Sequence, residues 1–367
     1  MRGRAGFFAV LFMAMMVAAC SDSSTEAGFA GLAQQPGEVG ASGFLQPQPG
    51  NTLTFPEDWG PHPQHRIEWW YLTANLETSD GEPLGVQWTQ FRQALQPRAV
   101  KSEPPDSDNW PLEAAWMAHG AVSFNGEHWF AEKLARGDVG HAGATAEPFD
   151  VWLDDWRLRA VPDSGHWRLR AQGDGWAYDL RLSNTNRMVP HGDNGFSAKS
   201  ASGEGSMYFS LVDLRIEGTV TLGEETLEVA GKGWFDREWS SQFLKGGQQG
   251  WDWFALHLEG GEKLMGFRLR EDDGAFLAGS WIRAGGEVDA LGSEELTLSP
   301  TSWHESARGR VPVEWRLILP QYEVDLTIAA PPGNYWNTGL YPYWESPVSV
   351  TGSHRGVGYM ELTGYSD

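Results

Sequence analysis

Two carboxylates stand two residues apart in Gly233-Trp234-Phe235-Asp236-Arg237-Glu238-Trp239. On a strand, residues i and i+2 share a face, so Asp236 and Glu238 point the same way. A carboxyl wrapped in Trp and Phe loses its hydration and holds its proton to higher pH, which is what a general acid at neutral pH requires. The same residues also read as a plain ion pair, with Asp236 or Glu238 matched to Arg237 or to a more distant arginine. A second group lies in FPEDWGPHPQHRIEWWYLTANL (55–76), where His62, His65, Arg66 and Glu68 precede Trp69, Trp70 and Tyr71. His62-x-x-His65-x-x-Glu68 has the residue types of a metal site. Pro61 and Pro63 and the strand that follows keep the three side chains off one helical face, so a structural role at the start of a strand is expected and no metal or other cofactor is assigned. A serine hydrolase is not expected either: there is no Gly-x-Ser-x-Gly elbow and no His-Glu-x-x-His, and Ser206 sits where a strand begins.

The elements that must hold these residues read as strands. From Trp156 to Leu182, WRLRA, HWRLRA and AYDLRL alternate apolar and charged residues between turn-forming segments, the period of half-buried strands. Hairpins are expected for LRIEGTVTL with TLEVAGKG, FALHLE with KLMGFRLR, and VEWRLIL with YEVDLTI. No segment carries a sustained helical stripe. Roughly fifteen to eighteen strands are expected, too many for one small ligand-holding barrel, so an all-β chain of two tandem barrels is the economical reading. Loops at Pro104–Pro111 and Arg187–Gly205 read as irregular, and Trp110 and Trp336 read as loop residues able to reach a pocket mouth. The 20 Trp, 17 Phe, 9 Tyr and 45 Gly among 367 residues fit strands joined by tight turns. Any one Trp reads first as filler of a barrel core.

A formal charge of -22, from 49 Asp+Glu against 27 Lys+Arg, excludes nucleic acid as a partner. The one cysteine excludes an internal disulfide. It stands at position 20, after Arg2, Arg4 and an apolar run from Ala5 to Ala19, and MRGRAGFFAVLFMAMMVAAC has the form of an export signal too short to span a membrane. The Val-Ala-Ala-Cys20 ending resembles a bacterial lipobox. Residues 1–19 are then a signal peptide, Cys20 is lipidated, 20–51 form a flexible tether, and 52–241 and 242–367 form the two barrel domains. The location expected is the cell envelope, facing the periplasm and anchored to membrane, with Ser21 favouring the outer membrane.

Several blocks together carry a family resemblance: EWWYLTANL with GVQWTQFR, MAHGAVS, GEGSMYFSLVDLRIEGTV, GWFDREWSS, GWDWFALHLEGGEKLMGFRLR, and YWESPVSVTG with GVGYMELTGY. In their order over 52–367 they resemble the AttH-like proteins related to carotenoid 1,2-hydratase (hydroxyneurosporene synthase), a subgroup of which is labelled predicted secreted hydrolase. The resemblance implies two lipocalin-like β-barrels and an elongated apolar ligand, isoprenoid, carotenoid or lipid-like. It implies acid-catalysed hydration or isomerisation of a C=C bond, with Asp236 as proton donor and Glu238 beside it. Trp69, Tyr71, Trp234 and Trp239 would face the cation, Trp70, Trp88 and Tyr208 would complete the aromatic lining, and His119, Glu68 and His191 would orient or deprotonate water. The other class left open is a non-catalytic lipid carrier or attachment factor working with a membrane transport complex.

Overall fold

Alternation of side chains across extended backbone dictates an all-β structure, and the computed structural model shows one. It describes residues 43–97, 113–137, 139–184, 187–242, 244 and 247–365. The expected signal peptide, Cys20, most of the expected tether and the expected Pro104–Pro111 loop with Trp110 lie outside the described residues. Among them there is no α-helix, only two single 3-10 turns.

The first sheet holds β1 (Ile67–Thr78), β2 (Pro83–Ala94), β3 (Ala114–Phe124), β4 (Glu127–Arg136), β5 (Ala142–Thr145), β6 (Asp150–Leu153), β7 (Trp156–Ala160), β8 (His166–Gly173), β9 (Trp176–Asn184), β10 (Met188–Pro190), β11 (Phe196–Ala198), β12 (Gly205–Leu222) and β13 (Glu225–Ser240). The second holds β14 (Gln248–Leu258), β15 (Lys263–Glu271), β16 (Gly274–Ile282), β17 (Val288–Leu291), β18 (Thr297–Ser306), β19 (Gly309–Leu319), β20 (Val324–Ala329), β21 (Trp336–Asn337), β22 (Tyr343–Gly352) and β23 (Gly356–Leu362). The 156–182 meander and all three expected hairpins are present. The turn between β12 and β13 places Gly223 at φ 59, where glycine carries no Cβ penalty. Strands exceed the expected number because of short ones, including β10 and β11 inside the Arg187–Gly205 stretch, both paired to β12. Residues 43–51, read as the end of the tether, lie against the first sheet: Leu45 N–H donates to Gln64 O at 2.9 Å, and Ser241 Oγ donates to Leu45 O.

Each sheet is antiparallel throughout and curls around its own core, its first strand paired with its last, β1 with β13 and β14 with β23. Fully buried Trp70, Trp88 and Trp156 fill the first core, and Trp315 and Trp344 fill the second. Filling is tight: a Cβ on Gly120 would meet the Trp176 ring at 2.8 Å. Trp336, expected near a pocket mouth, belongs to the second core, because its two-residue strand pairs with β22 and turns the ring inward.

Both cores hold a buried carboxylate clamped by two arginines. Glu68 pairs with Arg92 and Arg237, both donating to it, and Arg237 also lies 3.9 Å over the Trp70 ring and donates to Gly60 O at 2.5 Å. Burial alone would raise the Glu68 carboxyl, but the two guanidiniums outweigh it and hold the group well below the usual carboxylate range. Asp252 forms ion pairs with Arg268 at 2.8 Å and Arg270 at 2.6 Å.

Breaking such a pair leaves an uncompensated buried charge. Arg237→Met is expected to destabilise the protein by about 3–5 kcal/mol in urea unfolding. The double variant Glu68→Gln/Arg237→Met is expected to recover part of that loss.

Candidate active site between the barrels

Strands β1, β2, β12 and β13 are buried on both faces. One phase fills the first barrel and the other meets the second barrel. On β13, Phe235, Arg237 and Trp239 turn into the first barrel, whereas Trp234, Asp236 and Glu238 turn toward the second. The aromatic neighbours of Asp236 are therefore not Phe235 and Trp239 but Trp234 and rings from other strands. The outward faces of β14, β15 and β23 close over them, bringing Trp251, Trp253, Phe267, Leu269 and Glu361 to a shared cavity of about 170 Å³. Buried hydrogen bonds seal this junction. Asn75 Nδ2 donates to Gly358 O at 2.9 Å, and His257 Nε2 donates at 3.0 Å to Val212 O, a carbonyl at the bulge that shifts register between Leu211 and Leu214.

Asp236 is 3% exposed and has no cationic partner among the described ion pairs. Its carboxylate accepts from the Tyr208 hydroxyl at 2.8 Å, from Trp234 Nε1 at 2.6 Å and from Ser210 Oγ. Burial raises this carboxyl to about 7 against those three donors, and the charge of Glu238 adds to the rise. Behind it, Ser210 Oγ is 2.6 Å from His191 Nε2, and His191 Nδ1 is 2.8 Å from Ser280 Oγ of the second barrel. Burial, helped by the Lys199 charge, lowers His191 to about 3, so it stays neutral. A neutral imidazole between two hydroxyls can donate to Ser210 when Asp236 is ionised. In the other tautomer it accepts from Ser210 when Asp236 is protonated.

Glu238 is neutralised by Lys199 at 3.0 Å and accepts from Ser206 Oγ. Lys199 in turn sits 4.2 Å over the Phe267 ring and lines the cavity. From the second barrel, Glu361 accepts from Trp251 Nε1. Burial raises it to about 7 despite that bond, and Asp236 and Glu238 push it further the same way.

The cavity thus gathers Asp236, Glu238, Glu68, Trp69, Tyr71 and Tyr208 from the expected set. Trp234 and His191 stand behind Asp236. The structure places His119 elsewhere on the interface, beside Tyr343, and Trp70 and Trp88 in the first barrel's core. Trp239 stacks on His62 at 3.8 Å, facing away from Asp236. Glu68 touches the cavity but is committed to its arginines, and His62 is drawn to it and to Asp58 at 3.0 Å. Sequence reading missed Glu361, Trp251 and Trp253, whose partners lie far away in the chain, Glu361 and Trp251 110 residues from each other and Trp253 45 from Tyr208. The signal that could have found Glu361 is its phase: Tyr359 and Glu361 share one face of a strand.

The sequence signature of AttH-like proteins matches residues 46–365. The chain belongs to the AttH-like family. This AttH-like chain is 32% identical to a Nitrosomonas europaea protein assigned as an AttH, whose crystal structure matches with a TM-score of 0.77 over 88% of this chain and 100% of that one. The two sheets are accordingly lipocalin-like barrels in tandem. The same fold occurs in kievitone hydratase from Nectria haematococca, at 18% identity and TM-score 0.64 over 88% of this chain and 98% of that one. It also occurs in CghA, at 13% identity and TM-score 0.52 over 89% and 98%. No curated protein matches the chain in sequence.

Asp236 and Glu361 bind protons more tightly folded than unfolded. The stability they contribute is fully present below about 4 and is lost as pH rises through about 7. Urea unfolding of the wild type is therefore expected to weaken by on the order of 2 kcal/mol per carboxyl between about pH 5.5 and 8.5. Asp236→Asn and Glu361→Gln should each flatten that slope and exceed wild-type stability at the alkaline end.

Proposed function

We propose that this AttH-like protein is a hydratase-type enzyme that adds water across a C=C bond at the apolar end of a small molecule, with Asp236 as acid and Glu361 as base. The observation that carries the reading is a pair of carboxyls, one from each barrel, on one apolar cavity and both poised near 7. The charge of Asp236 raises Glu361, so near neutrality the pair is populated with one proton. That is the state a proton-in, proton-out reaction needs. The fold shared with kievitone hydratase supports the same reaction class.

In this mechanism the alkene π electrons take the Asp236 proton as a new C–H bond, leaving a cation on the neighbouring carbon. Aromatic faces such as those of Tyr71 and Trp253 contribute about 0.5–2 kcal/mol each to that cation. Water forms the C–O bond and gives its proton to Glu361. The Ser210–His191–Ser280 chain keeps Asp236 hydrogen-bonded in both protonation states. The cavity, about 170 Å³, is comparable with the roughly 150 Å³ that encloses one benzene ring. It takes an end of about five or six carbons, and a longer isoprenoid or lipid-like ligand extends past Lys199, Gln242 and Gln248. In this reading the enzyme works from the cell envelope, facing the periplasm and held by lipidated Cys20, as the Val-Ala-Ala-Cys20 ending supports.

The test is incubation with short acyclic isoprenoids and prenylated phenols in isotopically labelled water, read by mass spectrometry. We expect one solvent hydrogen on carbon, one solvent oxygen on its neighbour, and a rate maximum near pH 7. Asp236→Asn should lower kcat by about 10²–10⁴-fold with little change in binding of a saturated analogue. Protein that purifies with a stoichiometric unaltered lipid and forms no adduct would instead be a carrier.

A further inference from the structure

The reaction above does not use the third carboxyl of the junction, Glu345. It is fully buried and stands directly opposite Glu361 in the β22–β23 register. Its Oε1 accepts from the Tyr71 hydroxyl at 2.7 Å, and Tyr71 lines the cavity opposite Asp236 in the β1–β13 register. Glu345 therefore stands beside Glu361, and Tyr71 lies between it and the strand position of Asp236. The titratable groups around it are Glu361, Tyr71, Tyr343 and Tyr359, with no cation among them, and burial together with Glu361 holds it well above the usual range.

From Glu345 a run of buried polar groups leads outward. The Tyr343 hydroxyl, on the same strand face two residues earlier, is 3.0 Å from His119 Nδ1, and His119 Nε2 is 2.9 Å from Glu132 Oε2. The Glu132 side chain reaches solvent, 17% exposed. Gln87 Nε2 donates to the Tyr343 hydroxyl at 3.3 Å. Two oxygens beside this run, Glu345 Oε2 and Gln87 Oε1, are buried with no protein partner. With Oε1 accepting from Tyr71, a protonated Glu345 carries its proton on Oε2, and Tyr343 stands close enough for the charge of Glu345 to raise its hydroxyl.

We propose that Glu345, Tyr343, His119 and Glu132 form a proton route between the buried cavity and solvent that resets Asp236 and Glu361 after each turnover. The proposal rests on the hydratase reading. One turnover moves the cavity's proton from Asp236 to Glu361. The route lets that proton leave through Glu345 to Glu132, and lets another return by way of Tyr71 to Asp236, so protons and charge balance. Burial lowers His119 against the pull of Glu132, so the imidazole rests neutral and passes protons by exchanging tautomers. The apolar substrate that fills the mouth does not block this path.

The test fills the cavity mouth with a saturated acyclic alcohol as probe, so that solvent cannot reach the carboxyls there: pH-jump infrared spectroscopy of the full chain in dilute buffer, with the carboxyl bands assigned by their loss in Asp236→Asn and Glu361→Gln. Glu345→Gln and His119→Gln are expected to slow deprotonation of both bands at least tenfold while their midpoints and the thermal unfolding temperature change little. Glu345→Asp should restore part of the rate. Variant rates within about twofold of wild type, with both bands titrating as before, would overturn the route and leave the hydratase reading standing. Failure of either wild-type band to titrate near neutral pH would instead sink the acid–base pair, and the route with it.

Discussion

Packing the outer face of one barrel on the outer face of another removes water from side chains that would otherwise be solvated, and the raised carboxyls of this junction depend on that desolvation. Asp236, Glu345 and Glu361 lie on faces that an isolated barrel would expose. An exposed carboxyl titrates near 4. Where the two barrels meet, burial is the largest cause of the rise at each of the three. Three donors on Asp236 and one on Glu361 pull the other way and lose, which shows how far burial dominates here.

Carboxyls meet the opposite environment on the other face of the same sheets. Glu68 and Asp252 point into the barrels, where two arginines pair with each. Between its guanidiniums Glu68 stays ionised, whereas a carboxyl among Trp, Tyr and Phe keeps a proton it can transfer. Arg237 and Asp236 are adjacent in sequence, yet alternation sends the cation inward to Glu68 and leaves the acid without it. If the pleat did not separate them, Arg237 would neutralise the acid, which is the ion-pair reading that sequence alone left open.

The strands were legible because most have one apolar and one polar phase: Trp156, Leu158, Leu169, Leu180 and Leu182 mark the core face and arginines the other. The shared face of Asp236 and Glu238 was legible for the same reason. What could not be read was which face is interior where both are buried, as on β1 and β13. Trp69 and Trp70 look alike in sequence, but Trp70 fills the barrel while Trp69 reaches the cavity. Glu345 and Glu361 were hidden because each stands alone in its strand, and their meaning comes from Tyr71 and Asp236, far away in the chain. In hindsight Tyr343-x-Glu345 and Tyr359-x-Glu361 repeat one spacing, a Tyr and a Glu on one strand face.

The tryptophan excess explains why the site lies between the barrels. Trp70, Trp88, Trp156, Trp315 and Trp344 pack the two interiors, and a barrel of this size filled with indoles has little room left for a ligand. Space therefore opens where two convex surfaces meet and cannot interdigitate completely. Such a junction also divides the two carboxyls of the proposed acid–base pair, with Asp236 carried by β13 of the first barrel and Glu361 by β23 of the second. Neither barrel alone holds the pair or the desolvation that poises it, so the contacts that fix the two bodies, His257 on Val212 and Asn75 on Gly358 among them, are as much a condition of the chemistry as the carboxyls themselves.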